Sequence, residues 1–213
     1  MIEIQESMLA DLRERVMGLM SPKRFRHTVA VEEMAARLCA LFCPEQTNAL
    51  RAAALLHDIT KELSVEAHEE ICRRYGLTVT DGDRLAPKTL HARTAAALIA
   101  DEYPAFADPT VILAVRWHTT GHAGMTLTEK LVYLADYIDE SRTFPACVLL
   151  RRYFWGAKPE QLTQGERETL LRDTLLLSYD LTVRDLLDEG KPIASDTVEA
   201  RNELLLERKR AEA

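Results

Sequence analysis

The sequence predicts an all-α protein, and two observations carry that prediction. Apolar residues recur three and four positions apart along most of the chain, whereas no stretch sustains the alternation of polar and β-branched residues that is typical of strands. Helix start signals also recur between these stretches, where serine, threonine or aspartate precedes proline or lies three residues before glutamate. With 47% hydrophobic residues, the 213-residue chain can bury a sizeable core.

The first half of the chain predicts helices whose ends carry familiar capping residues. Ser21 and Pro22 are the N-cap and the first-turn proline of the second helix, which stops before Pro44. Gly76 is typical of a helix C-terminus, and residues 77–89 form the longest predicted loop. The predicted helices cover about residues 5–20, 22–43, 45–62 and 64–76.

The second half continues in the same way. Leu90 begins a helix that Pro104 closes, and Asp108 with Pro109 opens the next one. Thr126 and Glu129 form a capping box at the start of a helix that we expect to run through residue 142. The predicted helices cover about residues 90–103, 109–119, 127–142, 145–155, 165–189 and 195–210. No linker or internal repeat separates them, so we expect one domain over residues 1–213.

Composition narrows the class of protein. A net charge of −7 and a pI near 5.5 argue against a broad nucleic-acid surface, although a local basic cluster could still bind a small anion. No apolar run approaches the roughly 20 residues of a membrane span, and the first residues lack a secretion signal pattern. No C-x-x-C pair is present, and buried free thiols in a reducing cytoplasm are expected at Cys39, Cys43, Cys72 and Cys147.

Several ionisable residues lie on the apolar faces or at the ends of predicted helices. Each of them alone is best explained as a satisfied core or capping group, and His68, on a charged helix, is predicted to be a solvated surface residue. Together they suggest one shared site, because a divalent metal ion satisfies several buried imidazole and carboxylate groups at once. The members of this set are His27, His57, Asp58, His91, His118 and Asp136.

Two cations follow the same spacing. On a helix, Lys61 would share a face with His57 and Asp58, and Arg24 lies three residues before His27. Ion pairing or surface exposure would explain either residue. A cation one turn from each suspected ligand is also what an anionic substrate, such as a phosphate, would require.

Six motifs in this order resemble the HD-domain metal-dependent phosphohydrolases, and more closely their bacterial YqeK-type branch of symmetrical dinucleoside-tetraphosphate hydrolases. The likeness spans about residues 20–205. The motifs are KRFRH (23–27), HDITKEL (57–63), LHARTAA (90–96), HTTGHAGMT (118–126), LVYLADYIDESR (131–142) and GKPIASDTVEARN (190–202). The resemblance implies an HD metal-site core over about residues 20–143, with C-terminal helices over about 144–213 that complete the domain.

The resemblance also implies residue roles. His27, His57, Asp58 and Asp136 match the four core metal ligands of an HD site. In this family the two further histidines, matched by His91 and His118, either bind a second metal or contact substrate phosphates, and both roles stay open.

Three basic residues match positions near the nucleotide phosphates, namely Arg24, Lys61 and Arg142. The implied cofactor is one or two divalent transition-metal ions, with ferrous iron (Fe2+) expected and manganese (Mn2+) or cobalt (Co2+) permitted by the ligands. The implied reaction is symmetrical hydrolysis of diadenosine tetraphosphate to two ADP by a metal-activated water at a central phosphate. Asp58 and Lys61 are the expected catalytic residues.

Other interpretations remain open at this stage. The chain could hydrolyse another nucleotide, sense a nucleotide without turnover, or use its histidines only as structural core groups. We expect a small dinucleoside polyphosphate as the partner rather than nucleic acid or a membrane. The apolar run Leu204–Leu205–Leu206 could support a homodimer, although a packed terminal helix explains it equally well.

Overall fold

Helices connected by short turns make up the structure, a computed structural model that describes residues 3–212. The all-α prediction is confirmed, and no strand occurs among these residues. Single turns of 3-10 helix, each begun by a proline, precede several of the helices. The helices are α1 (Glu6–Met17), α2 (Pro22–Phe42), α3 (Thr47–Leu56), α4 (Val65–Arg74), α5 (Asp81–Leu85), α6 (Leu90–Glu102), α7 (Pro109–Trp117), α8 (Leu127–Ile138), α9 (Pro145–Gly156), α10 (Gln164–Asp188) and α11 (Ser195–Glu212).

Side-chain caps fix where the helices begin. The Ser21 hydroxyl accepts a hydrogen bond from the Arg24 amide at 3.3 Å, and Pro22 follows at the first helical position of α2. At the start of α8, the Thr126 hydroxyl accepts from the Glu129 amide, and the Glu129 carboxylate accepts from the Thr126 amide at 2.7 Å. These caps satisfy backbone N–H groups that have no partner within the helix.

The expected third helix is shorter than its pattern indicates. α3 ends at Leu56, and residues 57–63 form successive turns in which the Lys61 amide donates to the Asp58 carbonyl at 3.0 Å. Residues 57–60 are all buried. The amides of Ile59, Lys61 and Leu63 each donate to the carbonyl three residues earlier rather than four, so the α-helical hydrogen-bond pattern is not continued. The prediction that His57 and Asp58 lie within a helix is therefore wrong.

Two further boundaries differ from expectation. α8 ends at Ile138 rather than at residue 142, because Arg151 of α9 donates to the carbonyl groups of Ile138 and Arg142, both at 2.8 Å, and to that of Asp139. The Arg151 guanidinium thereby satisfies carbonyl groups at and beyond the end of the helix. The predicted loop at 77–89 contains the short helix α5, which a capping box at Thr80 starts.

The core forms around α2, α3, α7 and α8, and α10 adds large side chains to it. The Leu50 side chain and residues 52–56 of α3 are fully buried, so this helix is enclosed. Tyr179 of α10 and Phe154 of α9 are also fully buried. Among the described residues, no helix is long and apolar enough to cross a membrane.

The C-terminal helix α11 is tied to the turn between α7 and α8. The Thr197 hydroxyl donates to the Thr120 carbonyl at 3.1 Å, and the Glu203 carboxylate accepts from the Gly124 amide at 2.6 Å. Leu204 is buried in the core, whereas Leu206 is 53% exposed. Only part of the apolar run Leu204–Leu205–Leu206 is therefore buried within this chain.

Candidate metal centre

Three histidines reach a common centre from different elements with the same local geometry. In each, ring Nδ1 lies near the carbonyl oxygen three residues earlier. A carbonyl can only accept, so Nδ1 carries the proton and Nε2 presents a lone pair. The pairs are His57 with Ala54 at 2.6 Å, His91 with Lys88 at 2.6 Å and His118 with Val115 at 2.7 Å.

His27 of α2 faces the same centre through a carboxylate instead of a carbonyl. Its Nε2 lies 2.9 Å from Asp136 Oδ1, and its Nδ1 lies 3.3 Å from Asp139 Oδ2. Ser141, whose hydroxyl donates to Asp139, lies on the same side of the ring at 3.3 Å from Nδ1. Asp139 therefore orients the ring so that Nε2 points at the cluster, an arrangement common behind metal-binding histidines.

Asp58 lies between the two halves of the cluster. Its Oδ2 is 3.4 Å from His57 Nε2 and 3.8 Å from His27 Nε2. Its Oδ1 is 3.2 Å from His91 Nε2 and 3.8 Å from His118 Nε2. One carboxylate thus faces histidines on both of its oxygens.

The residues present fit a divalent metal. Among residues 3–212, seven buried side-chain nitrogen or oxygen atoms lack a hydrogen-bond partner, and three belong to the predicted ligands: His27 Nε2, His57 Nε2 and Asp58 Oδ1. Buried polar atoms without partners are costly unless something else satisfies them. Two triplets each bring their ligand atoms within 4.8 Å of one another: His27, His57 and Asp136, and His57, Asp58 and His118.

The contact between His91 and His118 also fits a bound cation. Their Nε2 atoms are 2.9 Å apart, and both rings use their proton on a backbone carbonyl at Nδ1. Two lone pairs then face each other with no proton between them, an arrangement that a shared cation relieves. Lys61 Nζ, which lies 3.0 Å from His91 Nε2, supplies one such positive charge.

Charge states agree with a site for a cation. Burial favours the neutral form of His27, but the carboxylates of Asp136 and Asp139 outweigh it and raise its pKa to about 9, so these carboxylates favour a positive charge beside them, which a metal ion in place of the ring proton would supply. Burial lowers the pKa of His91 to about 3 and also lowers that of His118, which keeps both rings neutral. Neutral imidazole is the form that binds metals.

The three predicted cations lie around this centre, paired with its carboxylates or histidines. Arg24 Nη1 is 2.7 Å from Asp58 Oδ2, and Arg142 Nη2 is 2.5 Å from Asp136 Oδ1. Lys61 Nζ is 3.8 Å from Asp58 Oδ1. Each side chain is about one quarter exposed, so each remains accessible from solvent.

A cavity of about 460 Å³ opens beside the cluster. Its lining includes Lys61, Asp136 and Arg142 of the cluster. The lining also includes Tyr137 and Phe144, and Phe144 is 66% exposed. The cavity lining therefore combines charged groups of the cluster with aromatic rings.

All six predicted ligands and all three predicted cations come together, although their roles stay predictions. Sequence reasoning missed Asp139, which is fully buried, because the tract ADYID offers two carboxylates and only the first matched the motif. The prediction for His68 is wrong: it is 4% exposed and lies against α6. His122 lies outside the cluster, with its ring tilted by 41° against that of Trp117 and its Nε2 3.0 Å from Glu129 Oε1.

Comparison with known proteins identifies the chain's relatives. The family model described as the HD domain matches residues 24–141. The symmetrical bis(5'-nucleosyl)-tetraphosphatase of Halalkalibacterium halodurans is 34% identical over 191 residues, which cover 87% of this chain and 91% of that protein. Proteins of the same description from Staphylococcus aureus and Bacillus subtilis are each 32% identical, over 76% and 82% of this chain and 81% and 85% of their own lengths.

A solved structure agrees with the fold. A crystal structure from Clostridium acetobutylicum, described as a predicted HD superfamily hydrolase involved in NAD metabolism, superposes with a TM-score of 0.78. The sequence identity is 31%, and the match covers 93% of this chain and 97% of that one.

Proposed function

The chain belongs to the HD-domain family and, within it, to the symmetrical bis(5'-nucleosyl)-tetraphosphatases, and on that premise we propose that it cleaves diadenosine tetraphosphate to two ADP at the centre described above. It is a metal-dependent hydrolase of dinucleoside tetraphosphates. The observation that carries the assignment of the site is the convergence of four histidine Nε2 atoms on Asp58, beside a cavity lined by Lys61 and Arg142.

The proposed metal ligands are His27, His57, Asp58 and Asp136, with His91 and His118 placed for a second ion or for substrate phosphates. Nitrogen and oxygen ligands without thiolate suit ferrous iron, manganese or cobalt, and we propose ferrous iron. When bound, the metal supplies positive charge and lowers the pKa of a water molecule towards neutrality.

The chain's own residues then handle the substrate. Arg24, Lys61 and Arg142 bind the equatorial oxygens of the phosphate chain and neutralise charge as the central anhydride breaks. Asp58 orients the attacking water, since its carboxylate lies between the two groups of histidines. His27 and Asp139 hold Asp136 and the turn after α8 in register with that centre.

The cavity supports a dinucleotide as the substrate. Lys61 and Arg142 in its lining suit phosphate, and the rings of Tyr137 and Phe144 suit a base that stacks. A nucleoside bound against these rings would therefore share one cavity with the cations that bind its phosphates.

Product analysis tests the function directly. Protein reconstituted with ferrous iron without oxygen is incubated with diadenosine tetraphosphate, and two ADP are expected as the only products. AMP together with ATP would overturn the symmetrical cleavage. NAD, whose hydrolysis at the diphosphate would give AMP and nicotinamide mononucleotide, serves as the control substrate because of the description that the Clostridium protein carries.

Removing the metal with a chelator distinguishes a hydrolase from the two alternatives, a nucleotide sensor and a purely structural role for the histidines. Removal of metal is expected to abolish turnover, and ferrous iron to restore it. Tight binding of the tetraphosphate without any turnover in the metal-replete protein would favour a nucleotide sensor. No metal near stoichiometry in untagged protein, with activity unaffected by chelators, would favour a purely structural role for the histidines.

Lys61→Ala is expected to impair substrate handling more than metal binding. The Lys61 ammonium lies 3.0 Å from His91 Nε2 and lines the cavity, so its loss removes a phosphate contact but no metal ligand. We expect kcat/KM to fall about 100-fold, with metal content unchanged by elemental analysis. Lys209→Ala, at an exposed lysine of α11 outside the cluster, is the matched control. Equal losses of metal and activity in Lys61→Ala would make Lys61 structural.

Three further expectations stay proposals. We propose that residues 144–213 complete one domain with the preceding core, since Phe154 and Tyr179 join the same buried cluster; residues 1, 2 and 213 lie outside the described part. Four buried free thiols suit a cytoplasmic location. A homodimer stays a prediction, which sedimentation analysis of the full chain decides.

A further inference from the structure

His68 is buried on α4, where the sequence indicates a surface residue. The side chain lies against α6, and its Nδ1 is 2.9 Å from the Thr94 hydroxyl. Burial of a histidine costs free energy unless its ring nitrogens are satisfied. His68 contacts no member of the metal cluster directly, so the proposed mechanism leaves it unused.

A chain of hydrogen bonds leads from His68 to the metal centre. The Thr94 hydroxyl lies 3.0 Å from the Thr60 hydroxyl, which in turn lies 2.9 Å from the His91 carbonyl oxygen. Both threonines are buried. The chain therefore crosses from α4 through α6 to the turn at 57–63 and back to the first turn of α6.

The protons available to these groups show which group donates in each hydrogen bond of the series. The His91 carbonyl can only accept, so Thr60 donates to it. The Thr94 hydroxyl has one proton and three acceptors within reach: the Thr60 hydroxyl at 3.0 Å and the carbonyl groups of Leu90 at 3.1 Å and His91 at 3.2 Å. Whichever of these takes the proton, the remaining contact of Thr94 is an acceptor for His68, so His68 Nδ1–H donates to Thr94.

The hydrogen-bond series that starts at His68 ends beside two candidate catalytic residues, Asp58 and Lys61. Thr60 stands between Asp58 and Lys61 in the sequence, and His91 Nε2 lies 3.2 Å from Asp58 Oδ1 and 3.0 Å from Lys61 Nζ. A bond from Thr60 to the His91 backbone thus fixes the turn that carries Asp58 and Lys61 against the helix that carries His91.

We propose that His68 is a positioning residue for the metal centre, acting through Thr94 and Thr60 to fix His91 relative to Asp58 and Lys61. This inference rests on the proposed function only for the identity of the reaction. The competing explanation is that His68 is a core residue whose only contribution is packing between α4 and α6.

Two substitutions at position 68 separate these explanations. His68→Leu keeps a side chain of similar size and removes the donor, whereas His68→Asn retains an N–H close to the place of Nδ1. We expect His68→Leu to lower kcat and metal affinity about 10- to 100-fold, with KM little changed, and His68→Asn to recover most of both. Metal affinity is measured by competition with a chelator, and Tm is recorded for every variant.

Cys72→Ala is the matched control on the same helix. Cys72 is fully buried on α4 but takes no part in the hydrogen-bond chain, so its truncation loosens the packing alone. We expect a lower Tm with unchanged kcat and metal affinity.

Three results would overturn the inference: wild-type kcat and metal affinity in His68→Leu, failure of His68→Asn to exceed His68→Leu, or equal losses in Cys72→Ala at a matched fall in Tm. The wild-type protein in the same series tests the function separately. If it failed to cleave the tetraphosphate, the proposed function would fall, while chelator competition would still decide the role of His68.

Discussion

Replacing Asp58 by asparagine is expected to abolish turnover and to weaken metal binding while the helical fold persists. Asparagine has the shape of aspartate, so packing around this 2% exposed position is retained. The negative charge is lost from the one group that faces both halves of the cluster. Since His57 Nε2 lies 3.4 Å from Oδ2 and His91 Nε2 lies 3.2 Å from Oδ1, both halves are affected.

Asp58 is fully ionised near neutral pH, so the substitution by asparagine removes a whole negative charge. Burial alone would raise the pKa of Asp58, but His57, His118 and His91 hold it well below its usual range, so the group is a carboxylate under assay conditions. We expect kcat to fall by about 1000-fold or more, and affinity for the metal to fall at least about 10-fold.

Three measurements check the prediction: turnover of the tetraphosphate, metal content, and circular dichroism for the helices. Asp180→Asn is the matched control, because Asp180 is also paired with an arginine, Arg201 at 2.6 Å, but lies outside the cluster. Wild-type turnover in Asp58→Asn would remove Asp58 from the site. A loss of helical signal would show instead that the charge is needed for folding.

Gly121→Ala is expected to destabilise the protein more than any other glycine substitution among the described residues. Gly121 has φ +62°, and a Cβ there would lie 1.9 Å from the Tyr179 hydroxyl oxygen. Tyr179 is fully buried, so it cannot swing away into solvent. Backbone strain costs about 1–3 kcal/mol and overpacking about 1–3 kcal/mol more.

The same substitution is expected to reduce activity, since the turn follows His118 directly. The Gly121 amide donates to the Trp117 carbonyl at 2.9 Å, so displacement of this turn moves the end of α7 that carries the histidine. Denaturant unfolding measures the loss of stability, and turnover at a temperature well below the lowered Tm measures the effect on the site.

Two comparisons isolate the contact with Tyr179. Gly124→Ala, at φ +82° with nothing within 4 Å of the added Cβ, carries backbone strain alone and is expected to cost less. The double variant Gly121→Ala with Tyr179→Phe removes the clashing oxygen and is expected to recover part of the loss, because ring carbon Cζ would still lie 3.0 Å from the Cβ. If the double variant were no more stable than Gly121→Ala, strain rather than contact would dominate.

The cluster could be predicted from sequence because its members break local patterns. Polar residues on apolar helix faces are costly, and His57 and Asp58 directly follow the apolar run that becomes α3. The family motifs then matched these residues to positions of an HD metal site. The same reasoning wrongly extended α3 past Leu56, since periodicity cannot tell a buried helix from a buried turn that continues its apolar pattern.

His68 and Asp139 show what such patterns cannot reveal. His68 stands among charged residues, in VEAHEEICRR, yet α4 turns that position towards α6. Its burial depends on how two helices separated in sequence pack, which periodicity within one helix does not specify. Asp139 acts through His27, more than a hundred residues away in the chain, and only the folded turn after α8 brings the two together.

The bonds from α11 to the turn after His118 have a consequence for biosynthesis. Thr197 and Glu203 hold that turn from near the C-terminus, so a chain emerging from the ribosome has all six candidate ligands long before it has the helix that fixes the turn. Because synthesis runs from the N-terminus, this turn gains its two bonds to α11 only after the rest of the site has been made. We therefore expect a product truncated before α11 to bear every candidate ligand yet to bind metal more weakly than the full chain.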